Sequence, residues 1–229
     1  MISKLLSAAV KLYLRSQVNQ VEALQVKIVG KNKQILKGYI PQVFLSCDRA
    51  IYQGLYLSQI ELNGTDIAVN LPEVVKKKPL RLLEPVFVEI QLKLDEADLQ
   101  ASLNSELLQS GLDDLWQMIL IAQNQLSASE LSKLAIEWHS IAIADQNLNL
   151  VGTYQNSAEK TQELCLSTRL SLANQHTLCL SEVRISNQSS LANEFQDQLK
   201  IDLGTDVAIA KLIIEAEQIV CAGKIRINN

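Results

Sequence analysis

The side chains in this sequence able to activate a nucleophile, hold a metal or move a proton are few: two histidines, four cysteines and two close carboxylate pairs. His139 follows Trp138 in a stretch of alternating apolar residues, and His176 ends the polar triplet Asn174-Gln175-His176. Neither has a second histidine or a carboxylate at metal-ligand spacing, so structural or solvated roles are expected for both. Cys47, Cys165, Cys179 and Cys221 lie far apart and form no CxxC pair, which argues against a zinc site or a redox motif. Buried free thiols are the expected state, although Cys165 and Cys179 flank a predicted hairpin and could face each other. The pairs Asp95/Asp98 and Asp113/Asp114 both stand at predicted helix starts, where the helix dipole accounts for them. No GxSxG elbow occurs, and the eight glycines stand singly, so no loop can cradle phosphates. These residues predict no catalytic, metal or cofactor site, and a protein that is not an enzyme.

The elements around them are mostly strands. Val86, Val88, Ile90, Leu92 and Leu94 give the cleanest period-two alternation in the chain, the pattern of a strand with one apolar face. Further strands are predicted from Val21, near 35–47, 54–63 and 66–70, with turns at Gly30 to Gln34, at Gly54 and at Asn63-Gly64. A loop carrying Pro72, Pro79 and Pro85 follows. At Asp95, a predicted N-cap, the period becomes helical: Leu99, Leu103 and Leu107 recur every four residues, and a second helix after Gly111 carries Leu112, Trp116 and Ile119. Later strands are expected around Leu134 to Trp138, Leu164 to Leu172, Leu178 to Leu180, 206–214 and 218–227, with a short helix near 189–199. The order of elements lacks βαβ alternation and predicts an α+β fold with antiparallel sheet.

Residues 1–19 are expected to form a separate amphipathic helix ahead of one β-rich domain over 20–229. Ile2, Leu6, Ala9 and Tyr13 share one side of that helix and Lys4, Lys11 and Arg15 the other, the arrangement of an interfacial helix. The same pattern suits a helix packed on its own sheet. Lys11 and Arg15 interrupt any signal-peptide core, so a retained segment and a cytoplasmic location peripheral to a membrane are expected. No apolar run exceeds five residues (Met118 to Ala122), against about twenty for a spanning helix. The net charge of −4 conceals an asymmetry: residues 1–94 hold 13 Lys and Arg against 7 Asp and Glu, and residues 95–229 hold 8 against 18. The basic part suits an anionic membrane surface, with Lys76, Lys77, Lys78 and Arg81 on one loop as further headgroup contacts. An acidic chain with 4% aromatics and no stacking motif argues against nucleic acid.

Three stretches carry a family resemblance. They are LKGYIPQVFLSCDRAIYQGLYLSQIELNGTDIAV, EPVFVEIQLKLDEADLQASLNSELL and LGTDVAIAKLIIEAEQIVCAGKIRIN, with Gly38, Gly54-Leu55, the switch at Leu94 to Leu99, Leu203 to Val207 and Gly223 as their fixed points. Together they resemble the LmeA-like phospholipid-binding family over about residues 20–228. The resemblance implies a curled antiparallel sheet wrapped around helices, similar to tubular lipid-binding (TULIP-like) domains, with phospholipid or another amphipathic lipid in an apolar groove. The residues agree: a sheet lined by Leu and Val and closed by Leu99, Leu103, Leu107, Leu112, Trp116 and Ile119 could hold acyl chains. The same side chains would equally fill a closed core, and the alternative function is a protein-interaction module of a membrane-associated complex.

Overall fold

The computed structural model describes residues 20–74, 78, 80–122, 136–155, 161–187, 190–195, 198–215 and 217–228. The predicted helix over 2–18, and with it Lys4, Lys11 and Arg15, lies outside the described residues, as do Lys76 and Lys77.

Most of what is described is β-sheet, in two open antiparallel sheets with few helices. The first sheet is formed by β1 (Gln20–Val29), β2 (Tyr39–Tyr52), β3 (Leu55–Ala68), β4 (Val86–Asp95), β11 (Val207–Glu215) and β12 (Gln218–Ile227), in the order β1-β2-β3-β4-β12-β11. The second is formed by β5 (Glu137–Ala144), β6 (Asn147–Gln155), β7 (Thr161–Asn174), β8 (Thr177–Asn187) and β10 (Leu199–Asp202), in the order β10-β8-β7-β6-β5, and β9 (Ser190–Phe195) also pairs with β8. The chain therefore enters the first sheet, crosses to build the second, and returns with β11 and β12 to complete the first.

Two short helices sit at one end of the first sheet: α1 (Asn32–Leu36) joins β1 to β2, and α2 (Leu71–Val74) follows β3. Gly38 ends α1 with φ +88°, and a Cβ there would stand 2.1 Å from the Val69 carbonyl oxygen. That close approach lets Val69 N–H donate to the Gly38 carbonyl at 2.8 Å, so a side chain at 38 would collide with the backbone it must bond. At the opposite end of the sheet β4 runs directly into α3 (Glu96–Ala101), a 3-10 turn (Ser102–Asn104) and α4 (Glu106–Ala122).

The main buried cluster lies between these helices and the second sheet. Leu99, Leu103, Leu112, Trp116 and Ile119 meet Ile141, Leu150, Leu166, Leu180 and Val183 there, and Leu94, Ile214 and Ile219 reach in from the first sheet. Trp116 and Trp138 pack edge to face with ring centroids 6.4 Å apart. Two smaller clusters, around Ile35 and around Cys47, serve the far half of the first sheet.

Several expectations are corrected. Asn63-Gly64 is no turn: both residues sit in mid-strand in β3, opposite Phe44 and Val43 on one side and Glu89 and Val88 on the other. Gly30 to Gln34 is not a simple turn, since α1 begins at Asn32. The predicted helix near 189–199 is instead β9 and the start of β10, because the backbone of 190–195 finds partners on the β8 edge. No helix starts after Gly111; α4 runs through it from Glu106, so Asp113/Asp114 lie within a helix rather than at its start. Cys165 and Cys179 do not face each other: Cys165 is opposite Ser186 and Cys179 opposite Ser171, and all four thiols are free.

Candidate functional site

Opposed residues of an antiparallel pair point to the same face, so the alternation in β4 propagates across its neighbours. Leu92 stands between Ile60 of β3 and Cys221 of β12, and Ile90 between Leu62 and Gly223. One strand further, Cys221 is opposite Leu212 and Gly223 opposite Ile209 of β11. This makes one continuous apolar face. The outer alternation carries Glu61, Asn63, Glu89, Gln91 and Lys224 to the other side.

The apolar face is only half covered. Leu62, Ile90, Leu92, Ile209, Leu212 and Cys221 are all half-buried, and none of them belongs to the three buried clusters. Burial raises the Cys221 thiol above its ordinary range, as it does the thiol of Cys47. Gly223 leaves the face flat where β11 bulges between Ile209 and Lys211: a Cβ there would lie 2.3 Å from the Ala208 carbonyl oxygen.

The predicted lining residues divide. Leu99, Leu103, Leu112, Trp116 and Ile119 all lie inside the main cluster, none more than 8% exposed. Leu107 is 44% exposed. Its four-residue spacing from Leu103 would share a face only on an unbroken helix. The 3-10 turn and the extended backbone of Ser105 break the helix between them and reset its phase. Ser105 starts α4, its hydroxyl accepting from Leu108 N–H at 3.2 Å.

The segment that begins at Asp95 is a cross-link between the sheets. Asp95 takes the N-cap position without a side-chain capping bond; its carboxylate pairs with Lys93 at 3.0 Å. Glu96 Oε2 accepts from Ile143 N–H at 2.6 Å, and Gln100 Oε1 accepts from Ile141 N–H at 2.9 Å while its Nε2 donates to the His139 carbonyl at 2.9 Å. Side chains four residues apart on α3 thus take the place of a missing neighbour on the open edge of β5. Towards the first sheet, Ser58 donates to Asp98 at 2.7 Å and Ser102 Oγ accepts from Tyr56 N–H at 2.8 Å.

The two ends of the first sheet differ in charge. At the α3 end an open hollow of about 690 Å3 is bordered by Asp95, Glu96 and Glu217, with Lys93 as its cation. The α1 end carries Lys31, Lys33, Lys37, Lys78 and Arg81. Lys78 pairs with Glu73 at 3.3 Å, which together with the Lys78 charge holds the Glu73 carboxyl below its usual range. On the polar face a second hollow of about 410 Å3 lies beside Lys27, whose Nζ stands 6.0 Å from the centre of the Phe44 ring.

The chemically versatile residues are engaged structurally. His139 Nε2 is 2.7 Å from Thr153 Oγ1. His176 lies in the β7–β8 turn, its Nδ1 facing the carbonyls of Val207 at 2.6 Å and Gly204 at 3.2 Å, so that nitrogen carries the proton. Among the described residues no three His, Cys, Asp or Glu side chains gather to hold a metal, and no helix is long and apolar enough to cross a membrane.

Fold and site together define a mostly-β protein of open antiparallel sheets with one half-covered apolar face. The model of the LmeA-like phospholipid-binding family matches residues 1–224, and the chain belongs to that family. No curated protein and no solved structure matches it.

Proposed function

We propose that the protein binds phospholipid without catalysis, peripheral to a membrane, with the acyl chains laid on the apolar face of the first sheet. The observation that carries the reading is the half-buried row Leu62, Ile90, Leu92, Leu212 and Cys221, in a chain of the phospholipid-binding family. In this reading the two sheets work as one unit, curled in the manner of tubular lipid-binding domains. Leu99, Leu103, Trp116 and Ile119 close the inner end of the groove and need not touch lipid. Each methylene of an acyl chain withdrawn from water contributes about 0.8 kcal/mol, so a chain seated on such a face needs no polar motif to be held. The headgroup belongs at the basic end of the sheet, near Lys78 and Arg81, because the carboxylates bordering the other end would repel a phosphate.

The test combines native mass spectrometry with thiol labelling of a variant in which only Cys221 remains. Phospholipid should co-purify, and maleimide labelling of Cys221, slow because its thiol is raised, should slow further when lipid is added. Lipid-free protein whose Cys221 reacts at the same rate with and without phospholipid would remove the reading. A stoichiometric protein partner would then become the better explanation.

A further inference from the structure

We infer that the end of the first sheet bearing α1 is the surface on which this protein docks to an anionic bilayer. This rests on the lipid-binding reading and adds the place and orientation of contact. The topology gathers the end of β1, α1, the start of β2, the end of β3, the chain before β4, the start of β4 and the end of β12 at one edge of the molecule. Val69 pairs with Leu82, Leu83 N–H donates to the Ala68 carbonyl at 2.8 Å, and Val86 stands opposite Ile227, so these segments are neighbours. At about 4.8 Å per strand, β2 to β12 spans roughly 15 Å.

Large apolar side chains project from this edge. Leu36, Leu83 and Phe87 are 55%, 59% and 61% exposed, and Ile227 is 40% exposed. Cations stand among them. Lys31, Lys33 and Lys37 flank Leu36 in sequence, and no ion pair involves any of the three among the described residues. Of the nearby carboxylates Glu73 pairs with Lys78 and Asp206 with Arg226, which leaves Lys31, Lys33 and Lys37 against Asp66, held by the neutral Tyr39 hydroxyl, and the exposed Glu84.

This mixture selects a bilayer over a protein partner. The buried centre of a protein interface is depleted in lysine. Here Lys31, Lys33 and Lys37 lie around Leu36 on α1, and lysine stems can lie along apolar surface while their heads reach the phosphates. The opposite end of the sheet, bordered by Asp95, Glu96 and Glu217, faces away from an anionic surface in this orientation. The row from Val86 to Leu94 runs from the docked edge inward along the apolar face, buried at Val86 and Val88 and half-buried at Ile90 and Leu92.

The experiment is flotation of the full chain with vesicles of equal phosphatidylglycerol and phosphatidylcholine. In parallel, binding of a fluorescent short-chain phospholipid is measured below its micelle concentration. The triple variant Leu36→Ser, Leu83→Ser, Phe87→Ser and the charge-reversed variant Lys33→Glu, Lys37→Glu should each lower the vesicle partition coefficient by at least about tenfold. Both should melt as the wild type does, and the triple variant should keep monomeric lipid binding within about twofold. Ile121→Ser, at an exposed apolar site on α4, should leave flotation unchanged. Unchanged flotation in both edge variants, or equal loss in Ile121→Ser, would overturn the docking surface while leaving lipid binding intact. Wild-type protein that binds neither vesicles nor monomeric lipid would overturn both readings.

Discussion

Replacing Gln100 with alanine tests whether α3 clamps the two sheets together. Gln100 makes two hydrogen bonds of 2.9 Å to the β5 backbone, accepting from Ile141 N–H and donating to the His139 carbonyl. A net contribution of about 0.5–1.5 kcal/mol per bond gives a loss of about 1–3 kcal/mol. Two effects reduce it. Alanine has slightly the better helix propensity, and the neighbouring hollow of about 690 Å3 admits water to the freed groups. A net loss of about 1–2 kcal/mol is expected. In a chain of this size that lowers Tm by roughly 2–8 °C, at about 2–4 °C per kcal/mol. Hydrogen exchange followed by NMR supplies the local readout: the Ile141 amide should lose protection while the Leu150 amide, on the strand paired with β5, keeps most of its own. Gln100→Glu divides the two bonds, because it retains the acceptor for Ile141 but sets a carboxylate against the His139 carbonyl. It should protect the Ile141 amide yet still lower Tm. If Gln100→Ala left both the Tm and the Ile141 exchange rate at wild-type values, α3 would not be what holds the β5 edge.

Two further outcomes follow from local geometry. Gly38→Ala places a Cβ 2.1 Å from the Val69 carbonyl oxygen at a backbone φ of +88°; the strained conformation and the forced backbone shift should cost about 2–4 kcal/mol, read as a lower urea midpoint at unchanged m-value. The Glu89 carboxyl is held below its usual range first by the Asn63 amide and then by Lys224. A carboxylate with a depressed folded pKa adds stability above its unfolded pKa and loses it as pH falls through the folded value. The Tm advantage of wild type over Glu89→Gln should therefore be greatest at neutral pH and vanish in acid. An advantage that grew on acidification would contradict the assignment.

The parts of the fold that were legible in the sequence are those whose pattern reflects one dominant neighbour. The alternation from Val86 to Leu94 belongs to a central strand with one apolar face, and β4 occupies that position. The hairpins at Gln53-Gly54 and Gln175-His176 fall where the turn residues put them. Asn63-Gly64 misleads because turn chemistry is a local preference. Here the Asn63 side chain accepts from Gln42 and donates to Glu89 across the sheet, and Gly64 packs beneath Ile67, so cross-strand contacts override it. Residues 190–195 fail for the same reason: their strand exists by pairing with β8, which no local period encodes.

The candidate site was hidden by a different feature. A strand facing a packed interior and a strand with a half-covered face carry the same alternation, since both have apolar residues at every second position. Leu92 and Leu150 are indistinguishable in that respect, yet Leu150 is 1% exposed in the main cluster while Leu92 is half-buried outside it. What separates them is the depth of cover above the strand. That depth is set by where α3 and α4 come to rest: α3 bonds to both sheets, and α4 packs into the main cluster with the second. Leu99 and Leu103, from the run with the clearest helical spacing, were therefore drawn into the closed cluster, and Leu107 was not. The half-covered face fell to strands whose pattern, from β4 through β12 to β11, becomes a single surface only once their register is known.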